Sequence, residues 1–300
     1  MHSISYAEFC KKKMQPKWLN KNEYPFAEKY FSVNGQQMHY VDEGVGVPIL
    51  FVHGTPSWSF DFRNQIKFLS KNYRCIAPDH IGFGLSSKPA NYPYETIHHA
   101  GTLDAFIQHL NPGPFHLVVH DFGGPIGLNF AINHPELIKS VTVLNSWLWN
   151  SESDPDFQRF SKILKSPLLP FLYKYLNFSP YYLLPNSFGD KKLSRSLHGQ
   201  YTGPYKKWSE RKGPLAFAHS LLNDQKWFDE LWARVGQISG LPSLFIWGMK
   251  DSFIKPSYLE KFLKEFKHAE VVRFPSCGHF PQEEEAEKVS QTMLDFYSKL

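Results

Sequence analysis

The chain has 300 residues, of which 42% are hydrophobic and 20% are charged, and its formal net charge is +5. This size and composition predict a soluble globular protein with one large core, or one domain with an insertion. Because the positive charge is modest and spread along the chain, it does not predict a nucleic-acid partner, and we interpret the triplet Lys11-Lys12-Lys13 as a solvated surface.

The cysteines and the N-terminal residues bear on the compartment. Cys10, Cys75 and Cys277 are odd in number and far apart, which argues against a disulfide framework and against a zinc site. Polar and charged residues stand where a signal peptide needs an apolar segment, and no apolar stretch approaches the roughly 18 residues of a membrane span. We therefore expect a cytoplasmic protein with no membrane partner.

Segments typical of strands recur along the chain. The first two flank Asn34-Gly35, a strong hairpin signal, so the sheet is predicted to begin with an antiparallel pair. Later apolar runs alternate with helix-length segments, which predicts an α/β protein with a mostly parallel eight-stranded sheet flanked by helices. The predicted strands span 31–33, 37–41, 48–52, 74–77, 115–119, 141–144, 243–247 and 271–274, and a final helix is predicted over 282–299.

One long interval, between Leu144 and Ser243, has no convincing strand. It is rich in Tyr, Phe, Leu, Pro and Trp, which favours short helices interrupted by prolines. An apolar insertion of this size between two strands is typical of a lid over a pocket. A helix near 225–235 is predicted to rejoin the core. The predicted division is a first core part at 1–146, a helical cap at 147–224 and a second core part at 225–300.

Asp121 lies at a predicted strand-to-helix corner, where Gly123-Gly124 opens an apolar-periodic helix. Taken alone, an Asp here is most simply a helix N-cap. The alternative is a nucleophile on a tight turn, with a glycine two residues on that lets the backbone approach closely. An Asp at such a corner can attack a saturated carbon and leave an ester that water can cleave, whereas a Ser would leave an inert ether.

Two later strand ends carry an acid and a histidine. Asp251 follows the predicted strand 243–247, and His279 follows 271–274. Because groups that do chemistry gather beyond the carboxyl ends of parallel strands, these side chains are expected to meet Asp121. Each has a plainer interpretation alone, as a helix cap or as a surface histidine. The coincidence of all three in this order favours a catalytic triad.

Five motifs carry a family resemblance over nearly the whole chain. They are Tyr40-Val-Asp-Glu-Gly44, His53-Gly-Thr-Pro-Ser-Trp-Ser59, Ala77-Pro-Asp-His-Ile-Gly-Phe-Gly-Leu-Ser86, Val118-Val-His-Asp-Phe-Gly-Gly124 and Gly278-His-Phe-Pro-Gln-Glu283. They resemble the haloalkane dehalogenase and epoxide hydrolase branch of the α/β-hydrolase superfamily. The chain is most similar to dehalogenases whose acid follows the later strand, since Asn145 stands where other members place a glutamate. This supports Asp251 as the acid.

The resemblance implies an α/β-hydrolase fold and a cofactor-independent hydrolase. Asp121 would displace a leaving group from an sp³ carbon and form a covalent alkyl-enzyme ester. His279, oriented by Asp251, would then activate the water that cleaves the ester. Backbone N–H groups of Thr55 and Phe122 would form the oxyanion hole. The expected substrate is a small apolar molecule, with water as co-substrate and no metal or organic cofactor; monomer and homodimer stay open.

The sequence departs from the family at the leaving group. Dehalogenases hold the halide with a Trp directly after the nucleophile, together with an Asn in the His-Gly loop or a second Trp from the cap. Here those two core positions are Phe122 and Thr55, so the usual halide clamp is incomplete. Trp147 or Trp149, at the cap entrance, is either a replacement donor or an apolar anchor. Trp58 is expected to pack beneath its own turn.

Several functions therefore stay open. Hydrolytic cleavage of carbon–halogen bonds is the leading prediction, because residues 200–217 look more like a dehalogenase cap. Epoxide hydrolysis needs hydroxyl donors from the cap, and the candidates are Tyr173, Tyr175, Tyr181, Tyr182, Tyr201 and Tyr205. A lactone-opening enzyme and a non-enzymatic ligand-binding receptor are further alternatives. Two N–H groups converging on the pocket would favour halide, and two tyrosine hydroxyls would favour epoxide.

Overall fold

The computed structural model describes residues 15–300, so Cys10 and the Lys11-Lys12-Lys13 triplet lie outside the described residues. The strands are β1 (Lys29–Val33), β2 (Gln36–Glu43), β3 (Pro48–Val52), β4 (Arg74–Pro78), β5 (Phe115–Asp121), β6 (Ile138–Ser146), β7 (Ser243–Gly248) and β8 (Glu270–Phe274). They form one sheet in the order β1-β2-β4-β3-β5-β6-β7-β8.

The sheet is mostly parallel. Strand β2 pairs antiparallel with β1 and with β4, and the remaining neighbours pair in parallel. Strands β3 and β5 are buried along their whole length, as expected for central strands covered on both faces. The predicted eight-stranded α/β architecture is thus confirmed, with strand ends within three residues of the prediction.

Helices cover both faces of the sheet. They are α1 (Arg63–Leu69), α2 (Thr96–Leu110), α3 (Gly123–Asn133), α4 (Pro155–Leu164), α5 (Leu169–Leu176), α6 (Leu184–Asn186), α7 (Arg195–Thr202), α8 (Lys212–Asn223), α9 (Gln225–Trp232), α10 (Pro256–Glu265), α11 (Pro281–Glu284) and α12 (Ala286–Tyr297). Helices α2 and α3 pack together in one hydrophobic cluster, and α1 and α12 pack together in a second cluster. The sheet separates these two clusters, so the core has three layers.

Helices α4 to α9 fill the interval between β6 and β7, as the proline-rich composition predicted. Helices α4 and α5 pack against α8, around a small apolar cluster of Leu164, Leu169, Tyr173 and Ala218. Helix α9 instead contacts α3, which lies on the sheet. The helices in this interval are short and interrupted, because each proline lacks the N–H that a continuing helix would need.

The predicted final helix is interrupted. Glu285 adopts φ −126° and ψ 49°, which lies outside the helical region and separates α11 from α12. The apolar periodicity of this segment does not record that break. Helix α11 contacts β7, and its side chains Gln282 and Glu283 enter buried hydrogen-bond networks.

Candidate active site

Asp121 is the last residue of β5 and has φ +51°, in the left-handed region that residues other than glycine rarely adopt. This corner requires glycine at two positions beside Asp121, because a side chain at either position would collide with its surroundings. A Cβ on Gly54 would lie 2.2 Å from Asp121 Oδ2, and a Cβ on Gly123 would lie 2.0 Å from the carbonyl oxygen of Val52. Phe122, rather than Asp121, is the N-cap residue of α3, and no side chain caps that helix. The N-cap interpretation of Asp121 is therefore wrong.

The two carboxylate oxygens of Asp121 have different surroundings. Oδ2 accepts the backbone N–H of Thr55 at 2.7 Å, and the backbone N–H of Phe122 also hydrogen-bonds to this carboxylate. Oδ1 lies 3.7 Å from Nε2 of His279. One oxygen is thus fixed by the main chain, while the other faces the histidine.

Asp251 orients His279 from the other side of the ring. Asp251 Oδ2 lies 2.6 Å from His279 Nδ1 and also accepts a hydrogen bond from Asn145 Nδ2 at 2.9 Å. Its Oδ1 accepts the N–H groups of Phe253 and Ile254 at 2.8 and 3.0 Å. The backbone and amide neighbours all donate to Asp251, and its contact with Nδ1 of His279 fixes the Nδ1–H tautomer of that ring. The structure therefore brings together the three side chains that the sequence singled out.

Burial and neighbouring charges shift the pKa values of both His279 and Asp121, which face each other. Burial disfavours the imidazolium of His279, but the carboxylates of Asp251, Asp121 and Asp61 outweigh it and raise the pKa of His279 to about 9. Burial raises the pKa of Asp121, and the charges of His279 and His120 offset part of that increase. The resting site is thus a buried carboxylate beside a histidine that favours the charged form.

A second group of polar side chains lies behind His279: His120, which the sequence predicted to pack or hydrogen-bond inside the core, and Asp61, which the sequence reasoning missed. His120 Nε2 is 2.8 Å from the carbonyl oxygen of His279, and His120 Nδ1 is 3.1 Å from Asp61 Oδ2. Gln282 Nε2 donates to the same Asp61 oxygen at 2.9 Å. Both groups that face the His120 ring are oxygen atoms, the carbonyl of His279 and the carboxylate of Asp61. No motif marks Asp61, because these contacts join distant parts of the chain.

Above Asp121 and His279 lies a cavity of about 260 Å³. Helices α4 and α5 contribute apolar side chains to its walls, and Phe122 and Trp147 also line it. Among the polar lining residues are Ser151, Asp154, Asp156, Gln225, Ser252 and Lys255. Lys255 pairs with Asp156, which links the loop after β7 to helix α4. The cavity suits a small, largely apolar molecule.

Of the candidate tryptophans, only Trp147 lines the cavity. Its ring meets Phe122 edge to face at 4.8 Å, and its indole N–H donates to no group among residues 15–300. Trp149 packs instead against other aromatic rings. Trp58 packs as expected, with its indole N–H donating to the carbonyl oxygen of Gln200 at 3.1 Å. The hydroxyl of Thr55 lies buried beside the cavity without a partner among the described residues.

Of the six candidate tyrosines, only Tyr173 lines the cavity. Burial raises its pKa, and its hydroxyl hydrogen-bonds to Ser179. Tyr201 is committed elsewhere, since its hydroxyl donates to Glu283 at 2.7 Å. Tyr205 is buried against Phe83, and the other three candidates are exposed. The cavity therefore offers one indole N–H and isolated hydroxyls, instead of two converging groups of either kind.

The sheet order and the strand-end site define the class of protein. The alpha/beta hydrolase fold family matches residues 47–286, and the chain belongs to that family. It is an enzyme, a haloalkane dehalogenase-like hydrolase.

Two relatives match nearly the full chain. A cis-3-alkyl-4-alkyloxetan-2-one decarboxylase of Shewanella oneidensis is 31% identical over 285 residues, which cover 92% of this chain and 89% of the relative. Haloalkane dehalogenase 2 of Mycobacterium tuberculosis is 30% identical over 274 residues, covering 91% and 95%. Among solved structures, haloalkane dehalogenase DatA from Agrobacterium tumefaciens superposes with a TM-score of 0.82 at 25% identity, covering 91% and 96%.

The close approach at Gly54 gives a testable consequence. Gly54→Ala places a methyl group 2.2 Å from Asp121 Oδ2, so the carboxylate must move. A displacement near 1 Å at a reacting group costs about 100-fold in rate, and we expect a loss of that size in kcat. The matched control is Gly101→Ala, since a Cβ there meets nothing within 4 Å. Steady-state rates and thermal melting of both variants check this; equal rates would show that Gly54 does not set the position of Asp121.

Proposed function

We propose that this hydrolase uses Asp121 as its nucleophile and passes through a covalent alkyl ester on that carboxylate. Its leading substrates are small apolar molecules that contain a carbon–halogen bond. The observation that carries the proposal is that the two carboxylate oxygens of Asp121 have different surroundings. Oδ2 is fixed by the Thr55 N–H at 2.7 Å, and Oδ1 is left on the side of His279, 3.7 Å from Nε2. A carboxylate held in this way presents one oxygen for displacement at a saturated carbon.

Hydrolysis of the ester assigns roles to the remaining groups. His279 takes a proton from a water that attacks the Asp121 carboxyl carbon, and the N–H groups of Thr55 and Phe122 stabilise the oxyanion. Asp121 is one of the charges that raise the pKa of His279 to about 9 in the free protein. Alkylation neutralises Asp121, so the pKa of His279 falls at the step that needs a neutral base. The products are an alcohol, a halide ion and a proton.

We also propose that residues 147–224 form a cap over a core made of residues 1–146 and 225–300. Helix α9, which begins at Gln225, contacts core helix α3, and this supports the second boundary. Helices α4 and α5 pack against α8 and contribute to the cavity walls. The cap therefore encloses the substrate and keeps bulk water away from Asp121.

This chain has fewer N–H donors beside the leaving group than a dehalogenase that holds the halide with two. Trp147 provides one indole N–H, and the unpartnered hydroxyl of Thr55 is a second, weaker candidate. With less stabilisation of the departing anion, the reaction depends more on the intrinsic leaving ability of the halide. Bromide and iodide are therefore better leaving groups than chloride for this enzyme. The presence of only one cap tyrosine on the cavity, Tyr173, supports halide over epoxide.

A second candidate function is the opening of oxetan-2-ones, the substrates named for the Shewanella oneidensis relative. Attack of Asp121 on the saturated ring carbon would break its bond to oxygen and release the ring carboxylate as leaving group. Loss of carbon dioxide from the resulting ester would return the Asp121 carboxylate and leave an alkene. No water is consumed in this route, so its products differ from those of hydrolysis.

Product analysis separates these functions. The protein is incubated with 1-halo- and 1,2-dihaloalkanes, with styrene-oxide-type epoxides and with dialkyl oxetan-2-ones. Halide and alcohol confirm dehalogenation, diol confirms epoxide hydrolysis, and alkene with carbon dioxide confirms the decarboxylase route. Absence of halide release from every haloalkane would contradict the leading proposal.

Restoring a donor next to the nucleophile tests the role given to the leaving-group site. Phe122→Trp adds an indole N–H beside Asp121, and one hydrogen bond to a charged group is worth about 1.5 kcal/mol, or roughly tenfold in rate. We expect kcat/KM for chloroalkanes to rise by about that factor, and by less for iodoalkanes. Phe160→Trp, which lines the same cavity from α4, is the matched control. Equal effects of the two substitutions, or a uniform change across halides, would contradict this role.

A further inference from the structure

The outer surface of the inserted helices exposes an unusual number of large apolar side chains. Eight of them, each more than half exposed, lie between residues 163 and 208, and we name this surface the cap face: Ile163, Leu168, Phe171, Tyr175, Leu176, Tyr181, Tyr182 and Trp208. Elsewhere in residues 15–300, the exposed large apolar side chains are Val45, Val47, Ile97, Phe253 and Leu300. Single exposed residues are ordinary, whereas a cluster of this kind marks an interaction surface.

Ring and hydrogen-bond contacts join three of these side chains, Phe171, Tyr175 and Trp208. The rings of Phe171 and Tyr175 lie 5.1 Å apart on α5. Lys174 Nζ lies over the rings of both Tyr175 and Trp208, at 5.2 and 4.6 Å. Arg211 donates to the carbonyl oxygens of Lys174 and Tyr175, which fixes the Trp208 segment beside the end of α5. This part of the cap face is therefore continuous across two segments that are separated in sequence.

The charge of this region is mainly positive. Residues 157–209 contain nine Lys and Arg residues and a single acid, Asp190, and Asp190 pairs with Lys250 of the core. Lys162, Lys165 and Lys206 are exposed and pair with no carboxylate within the part of the chain that the structure describes. The cap face is thus apolar and aromatic, with unneutralised cations around it.

The same helices form the roof of the cavity. Leu164 at the end of α4 and Tyr173 on α5 line the cavity, while Phe171 and Tyr175 project from the outer surface of α5. One helix diameter, about 10 Å, therefore separates the cap face from the space above Asp121.

We propose that the cap face binds the surface of an anionic lipid bilayer. Basic residues contact acidic headgroups, and aromatic and aliphatic side chains enter the boundary between headgroups and acyl chains. Tyrosine and tryptophan are the residues that favour this boundary, because their rings are apolar and their polar ends stay wet. Two copies of the cap face would bring the unpaired Lys162, Lys165 and Lys206 of each copy close to like charges, so a symmetric dimer through this surface is disfavoured.

Binding of this kind is peripheral. No helix within residues 15–300 is long and apolar enough to cross a bilayer. The sequence-based expectation of no membrane partner considered spanning segments, and the folded cap face is a different kind of contact. An apolar substrate concentrated in the bilayer would enter the cavity through the roof that rests on it.

Vesicle flotation of the full chain tests the proposal. The protein is expected to bind phosphatidylcholine vesicles that contain phosphatidylglycerol, to leave them at high salt, and not to bind pure phosphatidylcholine. Lys162→Glu should weaken binding by at least about fivefold, since one basic residue near an anionic surface contributes about that factor. Lys264→Glu is the matched control, because both lysines lie in the last turn of a ten-residue helix that begins with proline.

A second pair of variants tests the apolar part of the cap face. Phe171→Ser should weaken binding severalfold, whereas Ile97→Ser, which is equally exposed on α2, should not change it. Thermal melting confirms that all four variants are folded. Equal binding to neutral and anionic vesicles, or equal losses in both lysine variants, would overturn the proposal. So would a dimer that Phe171→Ser dissociates while no vesicle binding is found, because the surface would then belong to a second copy.

Discussion

Replacement of His279 by glutamine is expected to stop the reaction after displacement and to leave the alkyl group of the substrate on Asp121. The displacement needs the carboxylate of Asp121 and no base, whereas cleavage of the ester needs the water that His279 activates. Loss of a general base lowers a rate by about 100- to 10,000-fold, so the ester should accumulate to one per chain. Intact-mass spectrometry after incubation with a bromoalkane, followed by peptide mapping, measures this adduct.

The control for this trap is His268→Gln, an exposed histidine outside the site. That variant and the unmodified protein should turn over the same bromoalkane without a stable adduct. If folded His279→Gln forms no adduct with any haloalkane or epoxide, Asp121 is not the nucleophile toward these two substrate classes. An adduct on another residue would lead to the same conclusion.

Asp251→Asn is expected to lower the plateau of kcat by about 1,000-fold or more and to move its acid limb to lower pH. The asparagine cannot stabilise the imidazolium that forms as water is deprotonated, and it no longer selects the Nδ1–H tautomer of His279. After burial, which acts the opposite way, Asp251 is the main cause of the raised pKa of His279, about 9. Removing its negative charge destabilises the protonated ring, so the pKa of His279 falls and the neutral form persists to lower pH.

The measurement is kcat as a function of pH for the variant and the unmodified enzyme. Asp295→Asn, an exposed acid on α12, is the matched control and should leave both the plateau and the limb unchanged. If kcat at the plateau falls while its acid limb stays at the same pH, Asp251 only positions His279. An unchanged plateau would remove Asp251 from the reaction.

Features that repeat locally were predicted well from the sequence. The strand at 115–119 and the glycine pair at 123–124 placed Asp121 at a corner, because apolar runs and glycines act over a few residues. The same reasoning placed Asp251 and His279 at the ends of β7 and β8, and parallel topology then required the three to meet. The sequence also predicted proline-interrupted helices between β6 and β7. It missed the break at Glu285, since nothing local marks it.

Features that depend on how helices pack could not be predicted in this way. Trp147 and Trp149 are two residues apart, yet only Trp147 lines the cavity. Tyr173 faces inward while Tyr175 is exposed, because one residue of a helix points about 100° from the next and packing selects the inner side. Asp61 is likewise invisible in sequence, since its partner Gln282 is 221 positions away.

The sequence by itself determined the α/β sheet and the strand-end positions of Asp121, Asp251 and His279, while the family resemblance implied that Phe122 and Thr55 stand at the positions of the halide donors. Apolar periodicity, turn residues and the succession of strands along the chain are local properties, so they can be recognised in the sequence alone. Only the tertiary structure decided which donors line the cavity and which aromatic side chains form the cap face. Those outcomes depend on the orientation of short helices, and long-range packing sets that orientation.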